Sequence, residues 1–129
     1  MTGEWEAQRL IDEAGSLVQE EPMITALQGV IHAALGKTKA ALQCMNHACT
    51  NSKSFGHAHH TYYEIACILS LLNRAEVAFE WLERSVDTGF ACWPFFLKDP
   101  CLKNLRPHPQ FELLVSSLQA KYPDYLGLL

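Results

Sequence analysis

Apolar residues along this chain recur at spacings of three and four rather than two, so the pattern predicts helices throughout and almost no strand. From Glu4 to Gln19, Trp5, Ala7, Leu10, Ile11, Ala14, Leu17 and Val18 make one helical stripe, with acidic residues on the other face. Glu20-Glu21-Pro22 interrupts it, and Pro22 suits the first turn of a second helix, expected from about Met23 to Leu35. A turn at Gly36 leads to a third helix, Lys39 to Thr50. The polar stretch from Asn51 to Gly56 reads as a loop. A fourth helix is expected from His59 to Leu72, a turn at Asn73-Arg74, and a fifth from Ala75 to Asp87, closed by Gly89 as a left-handed cap.

Beyond Gly89 the texture changes, because Pro94, Pro100, Pro107 and Pro109 permit only short turns before a last helix opens at His108-Pro109. Phe111, Leu114, Val115 and Leu118 in that helix fall at i, i+3, i+4 and i+7, giving one face able to cover neighbouring apolar surface. Pro123 ends it before a short tail.

Composition narrows the class without changing this outline. At 129 residues the chain fits one domain (1–129) with a core of its own, and 49% apolar with 19% charged residues is an ordinary globular balance. A net charge of −4 and the lack of any basic run argue against nucleic acid as partner. The first residues lack the pattern of a signal peptide, and no apolar stretch reaches the ~20 residues a spanning helix needs, so no membrane role and a cytoplasmic location are expected. Five cysteines, Cys44, Cys49, Cys67, Cys92 and Cys101, are odd in number and irregular in spacing, which suits reduced thiols.

Candidate chemistry is sparse. Gly36-Lys37-Thr38 imitates the end of a phosphate-binding loop, but six residues separate Gly29 from Gly36 where that loop needs four, and they read as helix. His57, His59 and His60 with Cys49 are the nearest approach to a metal-ligand set, yet Cys44 and Cys49 are spaced one residue too widely for a zinc pair, so no metal and no other cofactor is expected. Cys67 has no acid or histidine firmly within one helical turn, so it reads as a packing residue, and no catalytic group is assigned.

The strongest signal is an internal repeat. Ala7, Ile11 and Ala14 precede Ala41, Met45 and Ala48 by 34 residues, and Ala78, Leu82 and Ser85 follow those by 37. With Gly29 and Gly36 in one copy, and Tyr62, Ile65, Ala66, Leu69 and Asn73 in the other, residues 4 to 89 resemble the tetratricopeptide repeat family, although Thr25, Gln28 and His32 depart from its pattern. Gly89-Phe90, Asp99-Pro100, Leu102, Leu105-Arg106, Pro109 and Phe111 look like a segment that closes the array in bacterial members of the family.

The resemblance implies an all-α fold, an α-α superhelix of stacked antiparallel helix hairpins with about six helices: a leader helix (4–20), one repeat at 23–53, another at 57–89, and a closing segment at 90–122. It further implies a non-enzymatic interaction scaffold that takes a peptide or helix of a partner protein on a concave face. On the family pattern that face holds Val30, Ala33, Ala34, Tyr63, Cys67 and Ser70. It lacks the Lys, Asn and Arg with which some members grip a terminal carboxylate. Two alternatives stay open: a homodimer formed through the uncovered face of the leader helix, with Trp5 and Leu10 available, or an interaction domain of a larger protein. A His/Cys metal protein is the least favoured.

Overall fold

A computed structural model of the chain describes residues 6, 7, 9, 10, 22–51 and 58–128. Glu6, Ala7, Arg9 and Leu10 are helical; the rest of the expected leader helix, and His57 with it, lies outside the described residues. Besides these, the described residues form six α-helices and no strand: α1 (Pro22–Ala34), α2 (Thr38–Asn51), α3 (Ala58–Leu71), α4 (Ala75–Asp87), α5 (Trp93–Lys98) and α6 (Pro109–Lys121). A 3₁₀ turn, Pro100–Leu102, lies between the last two helices, and another, Pro123–Leu128, follows α6.

Two hairpins organise the chain, α1 against α2 and α3 against α4, and α1 also packs on α3. Both hairpins turn the same way. After α1, the Gly36 amide donates to Ala33 O (3.1 Å) and the Lys37 amide to His32 O (2.8 Å); after α3, Asn73 donates to Ser70 O (3.0 Å) and Arg74 to Leu69 O (2.8 Å). This crossed pair of bonds satisfies carbonyls that a helix end leaves bare, and it requires one left-handed residue. Gly36 supplies it with φ 79°, and Asn73, one of the few side-chain-bearing residues that tolerates the region, with φ 61°. The same pair recurs after α4, where Gly89 donates to Val86 O and Phe90 to Ser85 O.

Small residues set how closely the helices approach. A Cβ on Gly29 would sit 2.6 Å from Ile68 Cδ1, 3.0 Å from Cys44 Cβ and 3.4 Å from Ala41 O, so this glycine lies where α1, α2 and α3 meet. Ala41 and Ala48 on α2, and Ala66 and Ala78 on α3 and α4, are fully buried. Ser85, in the place Ala48 holds one copy earlier, is also buried and spends its hydroxyl on Leu82 O at 2.7 Å.

Helix α3 is the centre of the molecule. Tyr63 and every residue from Ile65 to Ser70 are buried, because α1, α4 and the 3₁₀ turn at Pro100–Leu102 each pack on it. A helix enclosed on several sides has no solvent stripe, which departs from the amphipathic surface helix. The closing segment wraps this core: Trp93, Phe96, Leu102 and Leu105 are buried, and Trp93 Nε1 donates to Tyr122 O at 3.0 Å, tying α5 to the end of α6. The expected face of α6 is the one used, with Phe111, Val115 and Leu118 buried and Leu114 packed beside them.

Candidate functional site

The helix spacing that builds the hairpins also opens a groove of about 290 Å³ between α1, α3 and the closing segment. Met23, Leu27 and Val30 line it from one face of α1, at i, i+4 and i+7. His60, Tyr63, Glu64 and Cys67 line it from α3, and Phe90, Phe95 of α5, Asp99 and Cys101 from the closing segment that follows α4. Tyr63 is fixed by aromatic neighbours: the Phe90 ring meets it edge-on at 4.9 Å and the Phe96 ring stacks on it at 5.5 Å.

Two polar features interrupt this apolar lining. The first is a cluster around Asp99. The Tyr63 hydroxyl donates to Asp99 Oδ2, the Cys101 amide donates to Asp99 Oδ1 at 2.9 Å, and the Arg106 guanidinium donates to the carbonyls of Asp99 and Phe96. Within the cluster a side-chain hydrogen bond joins Cys67 to Cys101, and one ligand atom from each of Cys67, Asp99 and Cys101 lies within 4.8 Å of the others. That bond pushes the Cys67 thiol well up, with burial adding to it, and lowers Cys101 against the opposing effects of burial and Asp99. Cys101 is therefore the thiol that loses its proton first. Burial above all, with Cys67 and Asp99 adding to it, pushes the Tyr63 hydroxyl far above the ordinary tyrosine range, so Tyr63 remains a donor.

The second feature is Glu64. Its Oε2 is buried with no hydrogen-bond partner, and burial raises its pKa from 4.5 to about 8. At neutral pH the carboxyl is mostly protonated.

The six residues expected on a concave face divide. Val30, Tyr63 and Cys67 line the groove. Ala33 instead packs with Ala41 and Ile68, and Ser70 is fully buried, its carbonyl accepting from Asn104 Nδ2 at 3.0 Å because the chain after the 3₁₀ turn crosses this end of α3. Ala34 is exposed but is not among the groove's lining residues. Cys67 is buried in the core, as a packing residue would be, and Asp99 and Cys101 also reach it from 32 and 34 residues downstream. Of the residues weighed and set aside as metal ligands, His59 and His60 pack ring to ring at 4.2 Å and Cys49 packs on the core; none of the three belongs to the cluster. Met23 and Leu27 were detectable from their spacing to Val30, whereas nothing in the sequence brings Glu64, Phe95, Asp99 and Cys101 to one place.

No family model, no curated protein and no solved structure matches the chain. The groove is therefore interpreted from its own chemistry. No described helix is long and apolar enough to cross a membrane.

Proposed function

We propose that this protein is a non-enzymatic interaction scaffold of tetratricopeptide-like hairpins, and that the groove between α1 and α3 receives an amphipathic peptide segment of a partner protein. The observation that carries the reading is the lining: a row of Met23, Leu27 and Val30 opposite Tyr63, Phe90 and Phe95, with Glu64, whose Oε2 is unpartnered, among them. Such a groove suits two or three apolar side chains presented at helical spacing, as in helix-in-groove recognition. Glu64 then selects a donor on the peptide, a lysine or arginine whose approach returns the carboxyl to its charged form. The net charge of −4 steers in the same direction. The repeated hairpin turns at Gly36 and Asn73 support the stacked-hairpin part of the reading.

Fluorescence anisotropy with a panel of amphipathic helical peptides tests it, comparing members with and without one lysine beside the apolar face. Leu27→Asp, at an exposed position, and Val30→Asp, at a partly buried one where circular dichroism must confirm the fold, should abolish binding, and Glu64→Gln should remove the preference for lysine. Tyr63→Ala is the wrong variant, because Tyr63 is a buried packing residue. Equal binding of all peptides by wild type and the Leu27 and Val30 variants would refute the proposal.

A further inference from the structure

We propose that Cys67, Cys101 and Asp99 form a binding site for one thiophilic divalent cation, Zn²⁺ in the first instance, with the fourth coordination position facing the groove. The site stands on geometry independent of any peptide. Two sulfurs and a carboxylate oxygen already lie within 4.8 Å of one another, although they come from two separate parts of the chain, the middle of α3 and the turn at Pro100–Leu102. Ligands around a tetrahedral zinc, at ~2.3 Å for sulfur and ~2.0–2.2 Å for a carboxylate oxygen, lie roughly 3.5–3.8 Å apart, so the cluster closes on the ion by side-chain rotation.

Binding a divalent cation releases one proton from each thiol, and the ion's charge then holds together three anionic ligands that would otherwise repel in a largely buried place. The surroundings are those of a ligand set held in orientation. Tyr63 and the Cys101 amide each donate to a different oxygen of Asp99, leaving each oxygen a further lone pair for the ion, and the partners of a ligating carboxylate fix its direction in this way. Arg106, bonded to the Asp99 carbonyl, adds positive charge beside a site whose ligands and ion together carry a net charge of −1. Three protein ligands with a groove-facing position leave room for a water or a side chain of whatever occupies the groove.

The experiment is a titration of the full chain, reduced and freed of metal by a chelator, with Co²⁺ and then Zn²⁺. One equivalent of Co²⁺ should produce a near-ultraviolet thiolate-to-cobalt charge-transfer band and visible bands of tetrahedral intensity, all removed by one equivalent of Zn²⁺. Cys101→Ser and Cys67→Ser should lose the charge-transfer intensity of one sulfur each, and Asp99→Asn should weaken affinity. Tyr63→Phe, which keeps all three ligands, should weaken it by about 10- to 100-fold, as loss of an outer hydrogen bond does. Cys44→Ser and Cys92→Ser should bind as wild type does. Circular dichroism confirms that each variant is folded. Absence of a one-to-one complex in the wild type, or full-strength binding by both folded Cys67→Ser and Cys101→Ser, would overturn the site.

Discussion

Tyr63, in the middle of α3, donates its hydroxyl to Asp99, 36 residues further along the chain. This contact holds the closing segment against the central helix. Its phenol stays protonated because burial disfavours the charged form. Tyr63→Phe keeps the ring packing and deletes only the bond, leaving a carboxylate oxygen short of a donor. The expected loss is about 1.5–3 kcal/mol, the range for bonds to charged groups, read from urea unfolding. A loss below the error of that measurement would show that Asp99 finds another donor.

Glu64 makes stability depend on pH. Its folded pKa of about 8 lies above the ordinary 4.5, so the folded state holds a proton that the unfolded chain releases. The contribution is fully present below about pH 4.5, declines as pH rises, and is gone above about pH 8. Glu64→Gln preserves shape without titrating. The difference in urea midpoint between variant and wild type should therefore widen in favour of the variant from about pH 5 to about pH 8. Taking the difference cancels contributions shared by both proteins.

Two glycines should fail for opposite reasons. Gly36 has open space around it and φ of 79°, so Gly36→Ala carries only a backbone penalty of about 1–2 kcal/mol, and Gly36→Asn should recover part of it. Gly29 is an ordinary helical residue crowded by Ile68 and Cys44. Gly29→Ala should cost about 1–3 kcal/mol from overpacking, less the gain in helix propensity. Ile68→Val introduced beside it should relieve part of that cost and relieve none for Gly36→Ala. Thermal melts of these variants and the wild type decide the matter.

Ser70 is fully buried and its hydroxyl has no hydrogen-bond partner. Removing an unsatisfied buried hydroxyl relieves its desolvation cost. Ser70→Ala should leave stability unchanged or raise it by up to about 1 kcal/mol, and it should leave groove binding intact. A marked loss in calorimetry would reveal a hydrogen bond made by this hydroxyl in solution.

Legibility followed periodicity. The four hairpin helices and α6 could be located because apolar residues repeat at helical spacing, and because Gly36, Asn73 and Gly89 mark turns with a steric cause. The groove's α1 wall follows from the same rule. The cluster around Asp99 does not, since residues 90–108 have no period from which a path could be inferred. Where that segment folds back is decided by the shape of a core that exists only after the hairpins assemble. Ser70 illustrates the same limit: the helix pattern assigns it to a face, while Asn104 and its neighbours decide whether that face meets solvent.

Besides its buried side chains, the segment from Phe90 to His108 is positioned by side-chain bonds that each have their own anchor: Trp93 donates to the Tyr122 carbonyl, Asp99 accepts from the Cys101 amide, Asn104 donates to the Ser70 carbonyl, and Arg106 donates to two carbonyls. Hairpin helices share their load over many equivalent bonds, whereas here each bond has its own anchor. The lining of the groove can therefore be changed at the exposed Phe95 without repacking the hairpin helices. For anyone redirecting this protein to a new ligand, the framework and the adjustable jaw are already separate parts.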